Sequence, residues 1–286
     1  MFAMLADEYA RRRPRALDGP LVTVVIPTYN RSEVLRHALR SALEQSYRRL
    51  EVIVAGDACT DGSAEVVASF ADPRVRWLNL EVNSGNQAGP NRAALEVANG
   101  ELIAYLGHDD LWRRDHVACL VADIERSGAD VTYSACDSVF SQGRVAGRRF
   151  TCPPLGEPAL PSSVMHRRSM CERGAEWRDW RETVHAPDYA FFESLIAVGA
   201  RLSRVPVMTA VKFPASARRN VYREHRSREQ ERFSRRMNSR AFVAREILTG
   251  LLLLPLRRRT RLPVDQGEYT DPGELVTALR RVRGLD

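Results

Sequence analysis

Short polar clusters at four places carry the chemistry this sequence could do: Pro27-Thr28-Tyr29-Asn30, then Asp57, then a loop from Asn83-Ser84-Gly85 to Asn91, then His108-Asp109-Asp110. An aspartate accepts hydrogen bonds from a base or a ribose, and a carboxylate on a second strand can hold a divalent cation against diphosphate oxygens. Hard oxygen ligands point to Mg2+ or Mn2+. The clusters together therefore suit a nucleoside diphosphate held with a cation. Arg92 either assists with phosphate or is a solvated helix residue. His108 either joins the site or packs its loop.

These clusters need elements to bring them together. From Leu21 to Ser134 short β-branched runs alternate with amphipathic segments, the pattern of βαβ units around a parallel sheet. Strands are expected at Leu21–Ile26 (ended by Pro27), Glu51–Ala55, Val75–Leu80, Leu102–Leu106 and Val131–Ser134. A helix is expected from Asn30, which with Glu33 has the spacing of a capping box, and its apolar face is Val34, Leu35, Ala38, Leu39, Ala42 and Leu43. Another helix follows the 83–91 loop and stops at Gly100. Ligands of open α/β sheets settle outside the carboxyl ends of the strands, where three of the four clusters fall. After Ser134 the pattern weakens: residues 141–162 read as a mobile connection, 163–170 as a strand and 189–198 as a helix.

At 286 residues the chain has room for one large domain or a domain with an appendage, and its 44% hydrophobic content is that of a folded globular protein. The division expected is an N-terminal tail (1–19), a half that carries the polar clusters (20–135), a second half (136–217) and a basic helical C-terminal extension (218–286). The net charge is +7, carried almost wholly by arginine, since Lys212 is the only lysine. Charge alone does not specify nucleic acid, and the aromatic-studded basic motifs that would are missing, so none is expected as a partner. Five cysteines without metal-like spacing read as free thiols in a reducing compartment. The first nineteen residues lack the apolar stretch of a secretory signal, and no apolar run approaches the ~20 residues needed to span a bilayer. A cytoplasmic location follows as the expectation. Arginines at 218–240 and 257–261 flank apolar helical stretches, which suits peripheral contact with an anionic membrane surface or a cover over a diphosphate.

The ordered motifs Val22–Arg31, Glu51–Ser63, Asn83-Ser84-Gly85 and Gly100–Asp110 resemble the family 2 glycosyltransferases of GT-A fold. The likeness covers residues 20–135 well and 160–200 weakly, and it implies that 20–135 is the nucleotide-sugar-binding half and 136–217 the acceptor-binding half. It implies a Rossmann-like, mixed but mainly parallel sheet flanked by helices, and an enzyme that moves a sugar from a nucleoside-diphosphate sugar to an acceptor hydroxyl. Pro27, Thr28, Tyr29 and Asp57 would then form the nucleotide pocket, with Asn30, Asn91 and His108 beside it, and Asp109 would hold the metal. The sequence departs from the family twice: Gly56-Asp57 stands for paired aspartates, and Gly107-His108-Asp109-Asp110 lacks the first carboxylate of the metal motif.

Inverting members of that family use a carboxylate base at the start of a helix in the acceptor half. Pro187-Asp188-Tyr189 resembles that motif, so Asp188 is the expected base, or else the cap of its helix. His185 is a substitute candidate. Trp177 and Trp180 either stack on an acceptor sugar or anchor the core. His225 would reach the metal from a C-terminal flap. The competing reading is a non-catalytic sugar-nucleotide-binding relative. A nucleotidyltransferase is disfavoured, because no Gly-rich, Arg/Lys-bearing phosphate loop follows the first strand.

Overall fold

The computed structural model describes residues 19–140, 147–183, 185–215, 218, 220–222, 227–239, 241–242 and 281. The strands are β1 (Val22–Thr28), β2 (Leu50–Gly56), β3 (Val75–Asn79), β4 (Leu102–Tyr105), β5 (Leu111–Trp112), β6 (Val131–Phe140), β7 (Gly147–Thr151), β8 (Val164–Arg167) and β9 (Leu202–Lys212). The helices are α1 (Ser32–Leu43), α2 (Ser63–Ala68), α3 (Ala88–Glu96), α4 (His116–Ser127), α5 (Ser169–Glu172), α6 (Pro187–Ala197) and α7 (Arg228–Ser234). They surround one mixed sheet of order β3-β2-β1-β4-β8-β6-β9-β5, with β7 paired to β6.

Strand β1 is buried along its whole length, and its alternation sorts residues into two cores. Val22, Val24 and Ile26 face one core with Val52, Val54, Leu102 and Ala104, which α1 and α4 cover. Val25 faces the other with Ile53, Ile103 and Tyr105, covered by α3 and α6. Burial on both faces explains the continuous apolar runs in the sequence. β1 pairs in parallel with β2 and β4, and β2 with β3. From β4 outward the sheet is no longer mainly parallel: β8 is antiparallel to both β4 and β6, while β9 runs parallel to β6 and antiparallel to β5.

Several expectations need correction. β1 runs through Pro27 to Thr28, because β4 pairs only as far as Val25↔Tyr105 and Pro27 lies past its end, where no amide donor is needed toward that side. Asn30 does not cap α1. Asn30 has φ 46°, and its Oδ1 accepts the amides of Thr60 and Asp61, while Asp61 Oδ2 accepts the Ser32 amide at 2.9 Å. The cap thus comes from the loop after β2. α3 stops at Glu96 rather than at Gly100, whose α-carbon lies so close to β1 that a Cβ would sit 2.4 Å from the Thr23 nitrogen. Within the expected mobile connection, residues 147–151 form β7. The expected boundary at 135 falls inside β6, and most of the expected C-terminal extension lies outside the described residues; of it, α7 packs on α1, with Phe233, Met237 and Phe242 in a third small core.

Candidate active site

Parallel register brings the carboxyl ends of β1, β2 and β4 together, since Thr28 lies opposite Gly56 and Val25 opposite Tyr105. Asp57 follows β2, its amide donating to the Thr28 carbonyl at 2.8 Å. Its carboxylate accepts the Ser84 amide at 2.7 Å and the Gly85 amide at 3.2 Å, and its carbonyl accepts the Asn83 side chain at 2.9 Å. Burial raises the Asp57 pKa, and these amide hydrogen bonds work against the rise. Asp57 therefore welds the Asn83-Ser84-Gly85 loop to the strand end. The residue before it has no space for a side chain: a Cβ on Gly56 would meet Asn79 Oδ1 at 2.4 Å and the Trp77 ring at 2.7 Å. That packing accounts for a glycine where the family has an aspartate.

Beyond β4 the two aspartates take opposite roles. Asp110 is fully buried and turned inward: Oδ2 accepts Ser162 Oγ at 2.5 Å and Lys212 Nζ at 3.4 Å, and Oδ1 accepts the Phe213 amide at 2.8 Å. Its pKa is raised, by burial first. Asp109 is half-buried. Burial pushes its pKa up, but the charges of His108, Arg31, Lys212 and Arg218 outweigh that and hold it below the usual carboxylate range. Asp109 is therefore the charged, accessible carboxylate of the pair. Gly107 sits against both, and a Cβ there would lie 2.9 Å from Asp110 Oδ2.

Around this carboxylate the rings of Tyr29 and His108 each approach Tyr222, with centroids 6.2 and 6.1 Å away, and the Arg31 guanidinium lies 5.2 Å from the Tyr222 centroid. Arg31 is 1% exposed, and its Nε and Nη1 are buried without a hydrogen-bond partner; so are Thr28 Oγ1 and both amide atoms of Asn91, whose side chain is 0% exposed. Buried polar groups in folded proteins are otherwise almost all satisfied. Thr28 and Arg31 flank the end of β1, and Asn91 lies in the first turns of α3, so these unpartnered groups are candidates to meet a polar ligand. For a divalent cation the fit is a single carboxylate, Asp109, and Mg2+-type sites commonly use one or two carboxylates completed by substrate phosphates and water. No cluster of three acidic, histidine or cysteine ligands occurs among the described residues.

Lys212 ends β9, and its ammonium reaches Asp110 Oδ2 from there. Burial alone would lower its pKa, yet Asp110, Asp109 and Asp188 outweigh burial and raise it. The Asp188 carboxylate therefore adds, after Asp110 and Asp109, to the negative field at that ammonium. It lies in the first turn of α6 after Pro187, while the N-cap position is Ala186, and no side chain caps the helix. The capping alternative for Asp188 is not what the structure shows.

Other expected site residues fall elsewhere. Trp177 is 1% exposed, stacked on Phe191 with centroids 4.4 Å apart and edge-on to Tyr105 at 5.1 Å, so both its faces belong to the core and none is offered to an acceptor. The Trp180 side chain and His225 lie outside the described residues. Arg92 is exposed on α3. His185 is exposed, 2.9 Å from Glu193 and beside the exposed Tyr189. Sequence reasoning passed over Arg31, Ser162 and Tyr222, which no spacing singles out, and it read Lys212 only as a matter of composition.

A central parallel run of strands whose carboxyl ends carry Asp57 and Asp109, continued into a mixed sheet, is the GT-A type of fold. The sequence profile of Glycosyl transferase family 2 matches residues 23–192, and the chain belongs to that family. It is 35% identical over 162 residues to the succinoglycan biosynthesis protein ExoO of Rhizobium meliloti, covering 54% of this chain and 46% of that one. It is 29% identical over 158 residues to the putative colanic acid biosynthesis glycosyl transferase WcaA of Escherichia coli, 54% of each chain. The chain thus spans about half the length of these curated relatives. The fold is shared with Staphylococcus aureus TarS 1–349 in complex with UDP-GlcNAc (TM-score 0.59, 17% identity, 83% of this chain and 76% of that one). It is also shared with the mannosyltransferase PcManGT of Pyrobaculum calidifontis in complex with GDP-Man and Mn2+ (TM-score 0.57, 17% identity, 100% and 96%).

Proposed function

We propose that this chain transfers a sugar from a nucleoside-diphosphate sugar to an acceptor hydroxyl with inversion at the anomeric carbon. What supports this reading is the family match over residues 23–192 together with the parallel register that sets Thr28, Asp57 and the His108-Asp109-Asp110 loop beyond the ends of β1, β2 and β4. Thr28, Tyr29, Asn30, Asp57 and Asn91 grip the nucleotide, with His108 beside them. Asp109 holds Mn2+ or Mg2+, which when bound draws charge from the diphosphate oxygens. Asp188 takes the proton of the acceptor hydroxyl as that oxygen attacks the anomeric carbon from the face opposite the diphosphate. The acceptor is a saccharide or lipid-linked hydroxyl, in keeping with the succinoglycan and colanic acid biosynthesis named for the relatives. Among the described residues no helix is long and apolar enough to cross a membrane, so a lipid-linked acceptor would be met at the membrane surface.

A panel of nucleotide sugars, followed by thermal shift in Mn2+ and then by transfer and hydrolysis, tests the reading, because a ligand that prefers the native state raises its apparent stability. Asp188→Asn should bind the donor as the parent does and lose turnover by roughly a hundred- to ten-thousand-fold, the usual range for a general base. Unchanged turnover removes Asp188 as the base. Donor binding without metal-stimulated turnover in the parent would instead favour a non-catalytic binder, a reading the missing aspartate at Gly107 keeps in play.

A further inference from the structure

One lysine occurs among the 43 lysines and arginines of this chain, and it stands at the active site. The composition favours arginine at every other basic position, so an ammonium here reflects what the position demands. Lys212 ends β9, next to Phe213, whose amide is bonded to Asp110. Its side chain is 25% exposed, while that of Asp110 is 0% exposed. A guanidinium is a broad planar fork, whereas an ammonium is a compact charge with three donors. Beside the fully buried Asp110 carboxylate, 3.4 Å away, the compact group fits the crowding.

The pairing with Asp110 does not by itself explain the lysine. Asp110 already receives Ser162 Oγ on Oδ2 and the Phe213 amide on Oδ1, at 2.5 and 2.8 Å, and the Lys212 contact is the longest of the three at 3.4 Å. One hydrogen bond leaves donors of the ammonium uncommitted. The three neighbouring carboxylates keep that ammonium protonated, which rules it out as a base and leaves it a fixed positive charge. In the loop that holds Asp110 the metal motif carries one negative charge fewer than the family's, since Gly107 stands in place of its first aspartate.

We propose that Lys212 is a resident counter-charge for the departing nucleoside diphosphate, donating a hydrogen bond to its oxygens beside Asp109 and sharing the role of the divalent cation. The proposal rests on the donor-binding reading above. In the transfer step the acceptor oxygen forms its bond to the anomeric carbon and gives its proton to Asp188. The bond from that carbon to the diphosphate oxygen breaks, and its electron pair stays on the diphosphate. Lys212 keeps its protons throughout and stabilises the charge that appears on the leaving group. A site with one metal-holding carboxylate and its own ammonium should retain nucleotide when the metal is withdrawn.

The test is calorimetric titration of UDP, GDP, CDP, ADP and dTDP into the full chain, once in EDTA and once in Mn2+. The parent should bind at least one nucleotide in EDTA. Lys212→Gln should weaken that binding by about tenfold or more, the loss of one charge-assisted hydrogen bond, and Mn2+ should recover most of the loss. Lys212→Arg, which keeps the charge, should bind in EDTA more tightly than Lys212→Gln. Should Lys212→Gln fail to fold, the pair Asp110→Asn with Lys212→Met removes both partners together and is expected to show the same selective loss in EDTA. Binding in EDTA that is equal in parent and Lys212→Gln overturns the proposal. So does a parent that binds only in Mn2+, or an equal loss in the glutamine and arginine variants. Failure of every nucleotide in both media overturns the donor-binding reading itself.

Discussion

Asp109 and Asp110 are neighbours in sequence with opposite environments, and the difference decides which can do chemistry. Asp110 spends both oxygens on Ser162, Lys212 and Phe213, whereas four nearby cations keep Asp109 charged against its burial. Asp109→Ala should therefore abolish Mn2+-stimulated transfer while leaving the melting temperature close to that of the parent; retained stimulation by metal would reject Asp109 as its ligand. Gly107 offers the converse experiment. Restoring the family's carboxylate by Gly107→Asp places a Cβ 2.9 Å from Asp110 Oδ2 and adds a like charge beside Asp109. Such overpacking costs about 1–3 kcal/mol, so the variant should melt lower than the parent and gain no activity. A more stable, more active Gly107→Asp enzyme would show that the Asp110 latch yields easily.

At the scale of elements, the loop after β2 holds α1 in place. Asp61 Oδ2 accepts the Ser32 amide while Oδ1 accepts the amide and hydroxyl of Ser63, so one side chain serves the first turns of both α1 and α2. Those bonds hold its pKa below the usual range against burial, which marks the charged form as the one that caps. Removing a cap costs roughly 0.5–2 kcal/mol, and Asp61→Ala should show at least that loss in urea unfolding. Because α1 follows directly on Tyr29, Asn30 and Arg31, nucleotide affinity should fall as well; full affinity in the variant would mean the loop sets the helix but not the pocket. The capping partner was illegible in the sequence because it lies about thirty residues from the helix it caps, and Asn30 offered a local alternative with the right spacing. The strands told the same story. β1, β2 and β4 are buried on both faces and announce themselves as apolar runs, whereas β6 and β9 are long strands interrupted by Asp137, Ser138, Arg204 and Pro206, whose places in the sheet depend on partners far along the chain. The strand ends carrying Thr28, Asp57 and Asp109 could be placed from the sequence for that reason. Later in the chain Asp188 could be placed at the start of its helix, while Trp177 proved to belong to the core and the contact of Lys212 with Asp110 required the fold.

Across the whole molecule, two buried histidines tie stability to pH. Burial lowers His116 to about 3 and His166 to about 4. His166 is held neutral with Nδ1–H donating to the Arg167 carbonyl at 2.9 Å and Nε2 accepting from the Tyr105 hydroxyl at 3.0 Å. His116 contacts Thr209 through Nδ1 at 2.7 Å and stacks on Trp112, with its Nε2 buried and unpartnered. In the unfolded chain both rings take up protons as the pH falls through about 6.5, and in the folded chain they do so only near 4 and 3. The unfolded state then binds more protons across that window, and stability declines as the pH falls. Asp115 opposes the trend: burial raises it to about 6, so between its ordinary 3.8 and 6 the folded state is the one that holds the extra proton. Burial also lowers His37, adding a third ring, and raises Asp57 and Asp110, which oppose the rings only below their own raised values; the rings act from about pH 6.5 downward, so the urea midpoint should drop as the pH falls from 7 to 4.5. His116→Phe keeps the stacking surface and removes one titrating ring, so its midpoint should fall less over the same range, whatever its starting value at pH 7. An undiminished fall in that variant would show that the carboxylates around the active site, rather than the buried imidazoles, govern acid unfolding.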